Sequence, residues 1–378
     1  MIIKQAKVFG ADHHFHMQDI RIEDGRIAGT SESIAAGGGE EVIPANGMYA
    51  LPALVDIHQH GAVGYDYCDA SEEALSVIAE YEAQNGVLAV CATTMTISEN
   101  DLLSVAKVVS NHKNSAGADI VGINLEGPFV SPDRLGAQNP LHQMNPDVNM
   151  IRRIQKKSGG KVKLLDLAPE LDGAIEAISE LRKEMTISVA HTSCDYETAI
   201  RAYKAGASHL THTFNAMNPM LHRSPGPIPA AVESGANAEL ICDGIHIHPA
   251  MVRLVFSLFK GRMILISDSM RACGLSDGTY DLGGQEVRIN GRRAELARDS
   301  GVLAGSVTNL YECMKTAVND MGIPIEEAVL AATENPARAI GIDDEYGSIA
   351  PGRYANIVLC DENLDLIKVY RRGEDITK

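Results

Sequence analysis

Eight short apolar runs, separated by stretches of helical periodicity, constrain this chain more than any other feature. They are Leu51–His58, Val87–Thr93, Asp119–Glu126, Lys161–Ala168, Thr186–His191, Ala207–His212, Ala238–Asp243 and Met263–Asp268. Continuous apolar runs of this length read as parallel strands covered on both faces. The segments between them carry helix signals. Ser71 stands as N-cap before Glu72 and Glu73, Leu75, Ile78 and Ala79 follow at helical spacing, and Gly86 ends the stretch. A second helix begins near Asp195, buries Ala199, Ala202 and Tyr203, and stops at Gly206. Pro249 opens a third, at a position where the missing N–H costs nothing. Eight strands alternating with helices predict an α/β fold, a (β/α)8 TIM barrel over residues 51–337.

The ends of the chain differ. Ile2–Phe9, Phe15–Glu23 and Arg26–Thr30 are short strand signals, with Asp24-Gly25 as a hairpin turn. Ile357–Cys360 and Ile367–Tyr370 repeat that character near the other end. Residues 1–50 and 338–378 are therefore expected to pack together as one small β-sandwich domain. Gly274 to Asp299 reads as a hairpin insertion after the eighth strand, followed by helices near Asn309–Asp320 and Pro324–Thr333.

The reactive residues fall at the C-terminal ends of these runs, where barrel enzymes keep their chemistry. The first run ends in His58-Gln59-His60; residues i and i+2 of a strand share a face, so both imidazoles can converge on one point. Glu126 ends the third run, His191 the fifth, His212 the sixth and Asp268 the eighth. Any one of them alone reads as a packed polar residue. Six on one rim read as a divalent metal site. Three such ligands leave a position for water, whose pKa an ion of this kind lowers to about 7. Asp268 would take a proton from that water and pass it to a leaving amine, the pattern of metal-assisted amide hydrolysis. A carboxylate and imidazole shell suits zinc or iron. His209 is out of parity with His212 and is expected to face away from the pocket. His248, just before Pro249, reads as a cap contact rather than a ligand.

Charge and cysteine usage exclude other classes. A formal net charge of −17 disfavours nucleic acid and anionic membranes as partners, and an anionic substrate would need a local cationic pocket. The seven cysteines are scattered, with no C-x-x-C, which reads as reduced thiols in a cytoplasmic protein. The first residues carry no signal-peptide pattern, and no apolar run reaches membrane-spanning length.

Six motifs carry a resemblance across nearly the whole chain: Asn124-Leu125-Glu126-Gly127-Pro128-Phe129, Leu167-Ala168-Pro169-Glu170, Thr211-His212-Thr213-Phe214-Asn215-Ala216-Met217, Asp243-Gly244-Ile245-His246, Ser267-Asp268-Ser269-Met270 and Leu303-Ala304-Gly305-Ser306. With them the chain resembles the amidohydrolase superfamily and, within it, the N-acetylglucosamine-6-phosphate deacetylases. The resemblance implies that Glu126, His191 and His212 hold the principal metal, that Asp268 is the catalytic acid and base, and that His246 polarises the acetyl carbonyl. It implies sugar-phosphate contacts from Ala137, Asn215, Ala216, Arg223 and the turn Leu303-Ala304-Gly305. Arg223 would reach the phosphate held by a neighbouring subunit, which implies a homodimer. Arg223 and His222 precede Pro225-Gly226 in a loop, and a guanidinium grips phosphate bidentately. Because His58 and His60 are both present, one or two ions per subunit are open, with Glu126 as the bridge in the second case; His58, His60 and Asp268 count with Glu126, His191 and His212 among the metal-site residues. Gln138 and Leu221 stand where some relatives carry histidine, which leaves a galacto epimer or another amidohydrolase substrate as the alternative. No lysine ends a strand, so a carbamylated-lysine bridge is disfavoured. A non-enzymatic barrel of the same shape is the remote alternative, but it would have no need to keep every ligand.

Overall fold

A computed structural model of the chain describes residues 1–299 and 301–378. Its centre is an eight-stranded parallel sheet: Leu54–Gln59, Val87–Thr94, Asp119–Glu126, Val162–Leu167, Thr186–Val189, His209–Leu210, Asn237–Ile241 and Met263–Ile266, each hydrogen-bonded to its neighbours in chain order. These are called barrel strands one to eight. Strands eight and one share no ladder. Main-chain bonds close the seam between them instead: the Asp268 N–H donates to the His58 carbonyl at 3.0 Å and the His60 N–H to the Ser269 carbonyl at 2.7 Å.

Sequence explains the layers. Val55, Ile57, Ala89, Cys91, Leu164, Ile241, Ile264 and Ile266 fill the barrel interior in one buried cluster. Burying each Ile or Leu contributes about 1.5–3 kcal/mol. The helix Glu334–Ala339 packs Ala337 against that cluster, and Thr186, at the start of strand five, donates to the Ala339 carbonyl at 2.7 Å. That helix therefore plugs the N-terminal end and leaves the C-terminal end open. Outside, helices cover the strands, and their starts follow the expected caps. Ser71 accepts from the Ala74 N–H, Asp195 from Thr198 and Asn309 from Glu312. His248 caps the helix Pro249–Phe259 through Nδ1, which accepts from the Ala250 N–H at 3.1 Å.

Both chain ends enter a second eight-stranded sheet. Its order is Glu374–Asp375, Leu366–Arg371, Ile357–Cys360, Tyr49–Pro52, Ile2–Phe9, Phe15–Glu23 and Arg26–Ser31, with Val42–Pro44 also paired to Ile2–Phe9. Tyr49–Pro52 runs antiparallel to Ile357–Cys360, and one residue later the chain is in barrel strand one. Arg371 and Arg372 reach buried Asp119, at the base of strand three, at 2.7 and 2.9 Å, and the Tyr346 hydroxyl donates to the same carboxylate. The insertion after strand eight has three antiparallel strands, Gly278–Leu282, Gln285–Asn290 and Arg293–Leu296, rather than a two-stranded hairpin; Gly291, at φ 57, makes the second turn.

Candidate active site

A cavity of about 500 Å³ opens at the C-terminal end of the barrel. His60, Glu126, His191, His212, His246 and Asp268 line its floor; Ala137, Asn215, Ala216, Leu303 and Gly305 line its walls. His58 lies directly beneath, fully buried. Two expected contacts are not brought there. Arg223 is exposed on a loop outside the cavity, its Nη1 2.7 Å from His222 Nε2. Ala304 is buried beside Met95 and Met270, because its N–H pairs with the Ala294 carbonyl of the inserted sheet and turns its methyl inward.

The ligand set converges on Glu126. Its Oε1 lies 3.0 Å from His191 Nε2, 3.0 Å from His212 Nε2 and 3.4 Å from His58 Nε2; its Oε2 lies 3.3 Å from His60 Nε2. Asp268 Oδ1 is 3.3 Å from His60 Nε2 and 3.9 Å from His58 Nε2. The backbone explains how separate strand tips meet. His191, His212 and Asp268 take positive φ of 41°, 24° and 48°, which ends each ladder early and swings the side chain over the barrel mouth. Gly305 makes room for this: a Cβ there would stand 3.1 Å from the Asp268 carbonyl oxygen.

Hydrogen-bond partners fix the tautomers. His191 Nδ1–H donates to the Arg134 carbonyl at 2.9 Å and His58 Nδ1–H to Glu239 at 3.0 Å. A neutral ring then aims a bare Nε2 lone pair at a carboxylate oxygen, and His58 Nε2 has no hydrogen-bond partner among the described residues. Lone pairs facing a carboxylate repel unless a cation sits among them, so the residues fit a divalent ion. Two triads, His58/His60/Asp268 and His58/Glu126/His212, have ligand atoms close enough to share one. Burial opposes the charge on Glu126, yet His58, His191 and His212 hold its carboxyl well below the usual carboxylate range. Burial likewise opposes a charged His60, but hydrogen bonds to Asp268 and Glu126 push it up to about 10. The same pairing outweighs burial at Asp268 and keeps it low. His246 donates through Nδ1 to buried Asp243 at 2.8 Å, and that bond overcomes desolvation to raise the imidazole.

Four residues in and around the site were not anticipated. Gln138, expected only as a departure near the sugar, is buried and donates through Nε2 to Glu126 Oε2, while its Oε1 accepts the Thr96 N–H at 2.7 Å. Glu239 carries a charge in the middle of apolar strand seven, a signal present in the sequence. Arg134 and Arg298 are cations on the cavity wall of an acidic chain. His209 does not line the cavity, but its ring points into the barrel interior, where Nε2 donates to Glu239 at 3.1 Å.

The sequence profile of the amidohydrolase family matches residues 49–376. The chain is 39% identical over 366 residues to the N-acetylglucosamine-6-phosphate deacetylase of Bacillus subtilis, covering 94% of this chain and 91% of that one. It is 32% identical over 359 residues to the N-acetylgalactosamine-6-phosphate deacetylase of Escherichia coli O157:H7, covering 94% and 93%. Its fold superposes on a Mycobacterium smegmatis N-acetyl-D-glucosamine-6-phosphate deacetylase mutant, solved in complex with N-acetyl-D-glucosamine-6-phosphate, with a TM-score of 0.93 at 30% identity over 100% of this chain and 99% of that one. Among the described residues no helix is long and apolar enough to cross a membrane.

Proposed function

The chain belongs to the amidohydrolase family, and on that premise we propose that it is a metal-dependent deacetylase converting N-acetylglucosamine 6-phosphate to glucosamine 6-phosphate and acetate. The observation that carries this is the convergence of His60, His191, His212, Glu126 and Asp268 on the floor of one cavity, with His58 just beneath. Glu126, His191 and His212 would hold the principal ion, and His58 and His60 with Asp268 a second. A divalent ion there, zinc or iron, supplies Lewis acidity that acidifies water and polarises a carbonyl.

The chain's own groups do the rest. Asp268, ionised at neutral pH, accepts a proton from the attacking water and returns it to the sugar nitrogen as the C–N bond breaks. His246, whose imidazole Asp243 biases toward the protonated form, would offer its Nε2–H to the acetyl oxygen as negative charge develops there. Ala137, Asn215, Ala216, Leu303 and Gly305 shape the wall against the sugar. Arg223, exposed outside its own chain's cavity, would meet a substrate phosphate only across a homodimer. The seven free cysteines suit a reducing, cytoplasmic setting.

A panel of phosphorylated and unphosphorylated acetamido sugars, assayed with zinc, iron and manganese, tests this. Acetate should be released from N-acetylglucosamine 6-phosphate; release from none of the panel would overturn the reading. The match to the E. coli N-acetylgalactosamine-6-phosphate deacetylase supports one second reading, the galacto epimer. Relative rates on the two epimers separate them.

A further inference from the structure

We infer that Glu239, which lines no part of the cavity, is the positioning residue that makes His58 a metal ligand. Glu239 lies in barrel strand seven and is fully buried. Its Oε2 accepts the His58 Nδ1–H at 3.0 Å and the main-chain N–H of His212 at 3.2 Å, and its Oε1 accepts from His209 Nε2 at 3.1 Å. One carboxylate therefore reaches from strand seven to strand one, to the start of strand six and to the residue two beyond its end. A carboxylate only accepts, so a neutral, ion-binding His58 carries its proton on Nδ1 and presents a bare Nε2 upward. That Nε2 faces Glu126 and Asp268 and meets no hydrogen-bond donor.

The four imidazoles are not supported alike. A main-chain carbonyl orients His191. His60 Nδ1 and His212 Nδ1 are buried with no hydrogen-bond partner among the described residues. His58 alone is held by a carboxylate, the arrangement that fixes a ligand's ring and raises its basicity. Losing the Glu239 charge therefore acts chiefly on the ion that uses His58; the ion held by Glu126, His191 and His212 feels only a weakened main-chain bond from His212.

The inference rests on the metal-centre reading above, and the test separates the two. Wild type, Glu239→Gln and His209→Gln are loaded with zinc, titrated against a chromophoric chelator and analysed for zinc per subunit. Glu239→Gln keeps the side-chain shape but cannot accept from every donor; it should bind the His58-dependent ion about 10–100-fold more weakly, while His209→Gln should stay within about threefold of wild type, since His58 keeps its partner. In nitrogen-15 imidazole spectra of the zinc-loaded wild type, His58 should carry its proton on Nδ1. Equal zinc binding in Glu239→Gln and wild type, or equal losses in both variants, would overturn the inference while leaving the metal centre standing. A His58 protonated on Nε2 in the loaded wild type would overturn it even if Glu239→Gln failed to fold. Wild type that binds no zinc at all would remove the metal-centre reading itself.

Discussion

The Gln138 side-chain amide joins Glu126 to the main chain of Thr96, donating to one and accepting from the other. With both ends used, the amide has one orientation, and so has the carboxylate on which four imidazoles converge. Gln138→Leu strips a buried acceptor and a buried N–H of their partner. Stability to urea should fall by about 1–3 kcal/mol, and zinc affinity by about tenfold. Unchanged values for both would show that Gln138 is only filling space.

Asp268 is assigned the proton transfers, and its low pKa keeps it ionised at neutral pH. Asp268→Asn should lower kcat by about 10²–10⁴ while ion binding at Glu126, His191 and His212 persists. Wild-type turnover in this variant would refute the assigned base.

Metal binding should release protons. In the ion-free chain, burial disfavours a charged His60, but its partners raise it to about 10. A raised folded pKa contributes stability that is complete below the unfolded value near 6.5 and disappears as pH rises through about 10. An incoming ion must displace that proton, so apparent zinc affinity should climb with pH up to about 10. Calorimetry at pH 8 in two buffers of different ionisation heat measures the release; identical heats would contradict it.

Arg223 should act between subunits. Arg223→Ala should raise KM for the 6-phosphate substrate and leave unphosphorylated N-acetylglucosamine unaffected. Mixing inactive Asp268→Asn with Arg223→Ala chains should shift part of the activity back toward the wild-type KM. A strictly monomeric protein in sedimentation would remove the basis for this.

Asp119 anchors the terminal sheet to the barrel. Its carboxylate is buried, so Asp119→Ala should leave Arg371 only the Asn114 carbonyl and destabilise the chain at the lower end of the about 3–5 kcal/mol seen for broken buried pairs, because Arg372 is 37% exposed. Urea unfolding reads this, and an unchanged midpoint would contradict it.

Much of this was legible in the chain. Strand three begins and ends at Asp119 and Glu126 as read, because an apolar run stops at a carboxylate. Strands five and six are shorter than read, ending at Val189 and Leu210. The sequence continues apolar or neutral there, but left-handed backbone at His191 and His212 breaks the ladder, and no local pattern announces it. The candidate ligands are legible because each ends a run. Gln138 was not assigned to Glu126, and Glu239 was not seen at all, because their partners lie on other strands and only the closed barrel brings them together.

Barrel closure also has a consequence for synthesis. His58 and His60 leave the ribosome early, whereas Asp268 arrives after most of the chain, and the lead-in strand Tyr49–Pro52 finds its neighbour Ile357–Cys360 later still. Pairings this distant form slowly. A nascent chain must therefore hold its first two imidazoles without Glu239 or Asp268 opposite them through most of translation, and the finished centre dates from the final stage of folding.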